Sequence, residues 1–250
     1  MLDILLNGCN GKMGNAISSC CKNSSEYRIA CGVDLYQSEI QPFPVFPSFQ
    51  QVDCHADVII DFSSPASIDN EIAFALDKKL PLVVGTTGLT DADKQKLVSL
   101  SRSVPVFNSS NMSLGINLQK DLICEAAKVL GDSFDIEIIE KHHNLKKDAP
   151  SGTAYLLADA LKSELPYDPV YTYSRKESTE KREKKEIGIH SIRGGTIVGE
   201  HEVLFIGNDE VISIKHQAFS KNVFAEGALR AAAFIANKKP GFYSMPDLLK

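Results

Sequence analysis

The stretch Glu140-Lys-His-His-Asn-Leu-Lys-Lys-Asp-Ala-Pro-Ser-Gly-Thr153 concentrates more chemistry than any other part of the chain. It leaves an alternating strand, passes paired histidines and lysines, and enters a helix for which Ser151 is the expected N-cap. The first amides of that helix, the Ser151 and Thr153 hydroxyls and the nearby cations converge on one place, which suits an anion and a carboxylate in particular. In extended backbone His142 and His143 face opposite sides, so they are expected to have different tasks. No metal is expected, because no further ligands follow at matching spacing. The competing reading is a basic loop ahead of a well-capped helix.

A second site is written at the start of the chain. Gly8, Gly11 and Gly14 form a GxxGxxG turn where a strand hands over to a helix, so that backbone amides and the helix start can approach a pyrophosphate. Asp34 ends the next strand, 20 residues beyond Gly14, where a carboxylate would accept from ribose hydroxyls. Leu35-Tyr36-Gln37 follow without a cation, and Lys12 is the one nearby group to receive a 2′-phosphate, so NADH is mildly favoured over NADPH, with use of both left open. Gly85-Thr86-Thr87-Gly88, after a later strand, reads either as a loop meeting the nicotinamide or as an ordinary strand-to-helix connection. Arg193 is placed to neutralise a second carboxylate, while Glu200 and His201 read as structural polar residues on a half-exposed strand.

The elements that position these residues follow from periodicity. Apolar strands are predicted at Leu2–Asn7, Tyr27–Val33, Val58–Phe62 and Leu82–Gly85. Helices are predicted after the glycine turn, from a Ser64-Pro65 start through Lys78, and from a Thr90–Asp93 capping box towards Ser101. Apolar strands alternating with helices imply a parallel sheet covered on both faces. The pattern then changes. A long helix from Ser113 to Leu130 closes at Gly131, a strand runs Phe134–Glu140, a helix spans Thr153–Leu165, and strands follow at Ile187–Arg193, Ile197–Ile206 and Glu210–His216. This describes an α+β domain with a mixed or antiparallel sheet. A last helix, Val223–Ala236, is expected to return to the first domain. The expected division is 1–112, 113–217 and 218–250. The charged stretch Arg175–Glu186 mixes both signs and reads as a solvated loop.

The 250 residues, 43% hydrophobic and 24% charged, exclude disorder and fibre classes, and a net charge of −5 gives no electrostatic footprint for nucleic acid or an anionic membrane. No apolar run reaches a membrane span, and the start Met1-Leu2-Asp3-Ile4 lacks the basic opening of a signal or transit peptide, which predicts a cytoplasmic protein. The six cysteines show no CxxC pair and no spacing for a disulfide framework, so reduced, mostly structural thiols are expected.

With these segments assembled, the chain resembles the dihydrodipicolinate (4-hydroxy-tetrahydrodipicolinate) reductase family of diaminopimelate and lysine biosynthesis, nearly end to end. The resemblance rests on Gly8–Gly14, Gly85–Gly88, Asn111-Met-Ser-Leu-Gly-Ile-Asn117, the Glu140–Thr153 block and Arg193-Gly-Gly through Val198-Gly-Glu-His201. It implies an N-terminal Rossmann-like domain binding NADH or NADPH, and a C-terminal α+β domain with a mixed open sheet. That second domain would hold a small cyclic dicarboxylate and form a homotetramer. It also implies His142 as catalytic acid, Lys146 as catalytic or substrate-polarising lysine, and His143, Ser151, Gly152 and Thr153 as substrate contacts. Cofactor contacts are implied at Gly8, Asn10, Gly11, Lys12, Met13, Asp34, Gly85, Thr86, Thr87, Ser110, Asn111 and Met112. The chain departs from the family pattern at Lys12, Asn144, Leu145 and Lys221, where arginine or histidine is usual. The implied reaction adds hydride to C4 of a cyclic conjugated imine, with Lys146 meeting the developing negative charge and His142 supplying the proton. Closure about junctions near Asn111 and Phe219 would exclude water. Rival readings are another two-domain nicotinamide oxidoreductase, such as an aspartate or homoserine dehydrogenase relative, and a catalytically silent dinucleotide sensor.

Overall fold

In a computed structural model, residues 1–36, 41–176 and 179–250 are described. Gln37, part of the cofactor-preference reading, and Glu177 and Ser178 of the charged stretch lie outside them. The chain forms β1 (Leu2–Asn7), α1 (Lys12–Cys21), β2 (Tyr27–Val33), β3 (Val45–Phe46), β4 (Val58–Asp61), α2 (Ile68–Lys78), β5 (Leu82–Val84), α3 (Asp91–Leu100), β6 (Pro105–Asn108) and α4 (Leu114–Leu130). These are followed by β7 (Asp135–His142), α5 (Gly152–Glu164), β8 (Val170–Thr172), β9 (Glu186–Arg193), β10 (Gly199–Ile206), β11 (Val211–Ala218), α6 (Asn222–Ile235), β12 (Gly241–Tyr243) and α7 (Met245–Leu249). Two compact units result, one of residues 1–114 with 221–250 and one of residues 115–220.

The first unit is a seven-stranded sheet in the order β3-β2-β1-β4-β5-β6-β12, parallel throughout. Successive residues of β1 point to opposite faces, and both faces are apolar. Ile4 and Leu6 pack with Ile17 of α1 and the Ala228–Ala232 stripe of α6, whereas Leu5 packs with Ala75 of α2 and Leu97 and Leu100 of α3. The strand order reverses direction between β1 and β4, and their carboxyl ends form the switch point where open α/β sheets bind ligands.

The second unit is a mixed sheet, β11-β10-β7-β9-β8, with β7 antiparallel to β10 and parallel to β9. Its inner face buries Ile136, Ile138, Ile189, Val203 and Phe205 against Ile123 and Ala127 of α4 and Leu157, Ala158 and Leu161 of α5. β7 alternates strictly, so Glu140 and His142 project from the same buried face as Ile136 and Ile138.

Several expectations need correction. β3, β6, β8 and β12 have two to four residues each and were not anticipated, because they lack both a period and the apolar, fully buried run that marks the equally short β4 and β5. β6 also opens on Pro105, which reads as a breaker but sits at the first residue of its strand, where no ladder donor is needed. Ser64 opens a 3₁₀ turn, Pro65–Ser67, and makes no side-chain cap; the α-helix begins at Ile68. The thiols are not all reduced: Cys31 of β2 and Cys54 form a disulfide with Cα atoms 6.7 Å apart. The chain must cross back over β2 and β1 between edge strand β3 and interior strand β4, and that crossing, invisible in sequence spacing, brings Cys54 to Cys31. Arg182, in the stretch read as solvated, is largely covered and bonds Asp135, Glu137 and the carbonyls of Ile136 and Glu186.

Gly227 lets α6 lie against the chain leaving β6, since a Cβ there would stand 1.8 Å from the Met112 carbonyl oxygen. Gly227→Ala is expected to destabilise the protein by about 1–3 kcal/mol, read as a lower urea midpoint at unchanged slope. An unchanged midpoint would show that this packing is not needed.

Candidate active site

The glycine turn after β1 is built from steric necessity. Gly8 has φ +78°, and a Cβ on it would lie 2.5 Å from the Phe62 carbonyl oxygen; a Cβ on Gly14 would lie 2.3 Å from the Gly8 carbonyl oxygen. Only glycines let the turn fold this tightly against α1 and the chain after β4. Beside it lies a cavity of about 540 Å³ at the carboxyl ends of β1, β2 and β4, lined by Gly8, Asn10, Gly11 and Asp34 among the expected residues. The cavity is also lined by Phe62, Ser63, Ser64 and Ser67, which sequence reasoning missed; their signal was their place just after a buried strand at the switch point. The Asp34 carboxylate accepts from the amides of Asn10 (3.0 Å) and Tyr36 (2.9 Å), which fixes it at the cavity wall.

The remaining expected cofactor residues do not line this cavity. Lys12 is exposed at the first position of α1, and its charge together with burial lowers the Lys221 ammonium, burial being the larger cause. Met13 is half-buried against the core, Gly85 lies over the Phe62 ring, Thr86 is buried, Thr87 and Ser110 are exposed, Asn111 is half-buried and Met112 is buried. Burial, with the Asp34 charge behind it, pushes the Cys9 thiol up to about 12, so Cys9 is no nucleophile at neutral pH.

In the second unit the chemistry is organised around Glu140, which is 0% exposed. Its Oε1 accepts from Arg193 Nη2 (2.7 Å) and the Ser151 amide (3.2 Å), and its Oε2 accepts from Arg193 Nη1 (2.8 Å) and meets His142 Nδ1 at 2.6 Å. Burial works against ionisation, but hydrogen bonds from Arg193, Ser191 and His142 outweigh it and hold the carboxyl at about 2. An anionic Glu140 requires the His142 proton on Nδ1, leaving Nε2 as the free ring nitrogen beside Gly199, where an added Cβ would sit 3.3 Å away. Burial lowers the His142 pKa, only partly offset by Glu140, so the ring is neutral at rest.

Ser151 caps α5 by accepting from the Ala154 amide (3.1 Å). Its hydroxyl therefore donates to His201 Nε2 at 2.8 Å, and burial brings His201 down to about 3, keeping it neutral. The His142 and His201 rings stand edge to face, 5.2 Å apart. Lys146 Nζ pairs with Asp148 at 2.9 Å, and the Lys146 amide donates to the His143 carbonyl, closing the turn that follows β7. Arg193 also donates to the Asp148 carbonyl (2.6 Å), tying that turn to β9. A Cβ on Gly152 would meet nothing within 4 Å, so the start of α5 is open to a ligand on that side. His143 Nδ1 is buried with no partner among the described residues.

The structure thus brings together His142, Lys146 and Ser151, with Gly152 and Thr153 opening α5. Two readings change: the Arg193 Nη atoms are given to Glu140 and the Asp148 carbonyl rather than left for a substrate carboxylate, and His201, read as a structural polar residue on a half-exposed strand, is buried and bonded to Ser151 within the cluster. Glu140 itself was not assigned a role, although an acid on the inward phase of an alternating strand was a signal.

A family model described as dihydrodipicolinate reductase, N-terminus, matches residues 2–112, and one described as dihydrodipicolinate reductase, C-terminus, matches residues 115–249. The chain belongs to the dihydrodipicolinate reductase family. It is 49% identical over 250 residues to the 4-hydroxy-tetrahydrodipicolinate reductase of Caldanaerobacter subterraneus subsp. tengcongensis, covering 100% of this chain and 99% of that one. To the same-named protein of Clostridium novyi it is 46% identical, over 100% and 99% of the two chains. Among solved structures, the dipicolinate-bound dihydrodipicolinate reductase from Paenisporosarcina sp. TG-14 matches with a TM-score of 0.80 at 24% identity, covering 98% and 97% of the chains. Aspartate dehydrogenase from Thermotoga maritima matches with a TM-score of 0.52 at 13% identity over 95% and 98%, a likeness of fold alone.

Glu140 predicts a pH signature. Its carboxyl titrates lower in the folded than in the unfolded chain, so it stabilises the fold above the ordinary carboxylate range, and that stability is lost as pH falls towards about 2. Glu140→Gln should therefore be destabilised at neutral pH, on the order of 3 kcal/mol, with the gap to wild type closing in acid. A gap that stays constant with pH would rule out an ionised Glu140.

Proposed function

We propose that this chain is a 4-hydroxy-tetrahydrodipicolinate reductase acting in diaminopimelate and lysine biosynthesis, with NADH preferred over NADPH. The observation that carries this reading is the cluster in which one buried carboxylate orients His142 beside a lysine and a capped, open helix start, in a chain of this family. Gly8, Asn10, Gly11 and Asp34 are the residues that would hold the dinucleotide: the glycine turn cradles the pyrophosphate, and the Asp34 carboxylate meets the adenosine ribose. Asp34 without an adjoining cation among the described residues supports NADH, and the neighbouring Lys12 and Lys221 supply positive charge for phosphate. Bound reduced nicotinamide supplies the hydride.

The rest of the chemistry belongs to the chain's own residues. The start of α5, with Ser151, Gly152 and Thr153, receives a substrate carboxylate, and His143 faces the same ligand. The Lys146 ammonium lies where it can meet the negative charge that spreads towards the ring nitrogen and C3 as C4 is reduced. His142, with Nδ1–H committed to Glu140, takes up and releases a proton at Nε2; the Glu140 carboxylate compensates the imidazolium while that proton is held. A homotetramer formed through the second sheet and a cytoplasmic location complete the proposal. The exposed Val211 and Ile212 on edge strand β11 support an association surface there.

A coupled assay tests this directly. Pyruvate and aspartate semialdehyde are condensed in place by a dihydrodipicolinate synthase, and loss of reduced-nicotinamide absorbance is followed with NADH and NADPH in parallel. Wild type should oxidise NADH faster, and Lys146→Ala should lose about 10²- to 10³-fold in kcat with little change in NADH affinity. Near-normal turnover in Lys146→Ala would overturn the assigned role, and binding without turnover in wild type would favour a sensor.

A further inference from the structure

Behind the dinucleotide turn lies a buried polar cluster that the reduction does not use. Asn7 ends β1, Asp61 ends β4 and Glu71 lies in the first turn of α2; they are 3%, 1% and 0% exposed. The Asn7 side-chain amide has two hydrogens but four acceptors within reach: Asp61 Oδ1 (3.1 Å), Ser63 Oγ (3.0 Å), Ser67 Oγ (3.0 Å) and Glu71 Oε1 (3.4 Å). Asp61 Oδ1 also accepts from the Ser63 amide and hydroxyl, and Glu71 Oε2 is buried with no partner among the described residues. Two carboxylates cannot both be ionised around one amide with so few donors; the arrangement closes only if one carries a proton.

Glu71 is the one that carries it. Burial raises Asp61 too, but the Ser63 amide and hydroxyl and the Asn7 amide donate to it, whereas Glu71 is raised well above the usual carboxylate range by burial and then by the Asp61 charge, with Asn7 its only offset. The other neighbours do not titrate: Asn7 comes from β1, Ser63 and Ser67 from the β4–α2 connection, and Phe49 to Gln51 pack against α2 from the preceding turn. From α3, Lys96 reaches α2 at the exposed Asp69, on the surface.

The cluster is also the back wall of the dinucleotide cavity. Asn7, Ser63 and Ser67 line the cavity, the Phe62 amide donates to the Asn7 carbonyl, and Gly8 packs on the Phe62 carbonyl. We propose that Glu71 is a positioning residue for the dinucleotide turn, fixing the end of β1 through Asn7, so that affinity for the reduced dinucleotide falls when Glu71 loses its proton. A second buried negative charge would repel Asp61 across Asn7 and pull the 62–67 wall away from Gly8. This inference rests on the reading of the cavity as the dinucleotide site.

Direct NADH binding to the whole protein, followed by nicotinamide fluorescence from about pH 6 to about pH 9, tests it. Wild type should weaken by about tenfold over that range, Glu71→Gln should match the wild-type affinity at the acid end and hold it throughout, and Asp61→Asn should move the weakening to lower pH, because without the opposing Asp61 charge Glu71 loses its proton more easily.

 The folded chain holds the Glu71 proton more tightly than the unfolded chain. Wild-type stability should therefore fall as pH rises from the ordinary carboxylate range towards the Glu71 titration, and Glu71→Gln should lack that slope. Parallel pH profiles for wild type and Glu71→Gln, or a Gln variant weakened at every pH, would overturn the proposal. Wild type that binds NADH with the expected pH dependence but reduces no substrate would overturn the reductase reading and leave Glu71 its role.

Discussion

A carboxylate with no exposure to water must be compensated by its surroundings, and the second unit is arranged around that requirement at Glu140. Arg193 supplies two charge-assisted hydrogen bonds from β9, Ser151 supplies an amide from the start of α5, and His142 supplies a ring nitrogen from the same strand. One interaction set thereby joins two neighbouring strands to the helix start and fixes the imidazole tautomer. The turn carrying Lys146 is held by the same arginine through the Asp148 carbonyl. The geometry offered to a ligand follows from satisfying one buried charge.

The first unit solves a related problem by different means. At the switch point of its parallel sheet, Asp61 is supported by neutral donors and no arginine reaches it among the described residues. Where Glu140 is held ionised by a cation, Glu71 is held neutral by burial and a like charge. The two acids show how the same side chain takes opposite protonation states from its partners, one bonded to the His142 ring and the other packed behind the glycine turn.

Much of this was legible in the sequence. Strands and helices of six or more residues announced themselves by period and caps: β1 before its glycine turn, α3 with its Thr90–Asp93 capping box, and α5 behind Ser151. The short strands β3, β6, β8 and β12 were not legible, because they are stabilised by neighbours in the sheet rather than by any local pattern. The site divided in the same way. His142, Lys146 and Ser151 stood out by residue type within one short segment. The partners that orient them did not: Arg193 and His201 arrive from β9 and β10 through strand pairing, and Glu140 was hidden by its place in an apolar alternation. The Cys31–Cys54 pairing was likewise set by how the chain crosses the sheet.

The central claim is that an ionised Glu140 holds the His142 proton on Nδ1 and leaves Nε2 open for proton transfer. Nitrogen-15 NMR of the histidine side chains in the intact protein at neutral pH, with His142 assigned by its absence in His142→Gln, reads this directly. The account predicts a neutral His142 ring protonated at Nδ1, with the tautomer preference lost in Glu140→Gln. A ring protonated at Nε2 alone, or one whose tautomer is unchanged by Glu140→Gln, would contradict it.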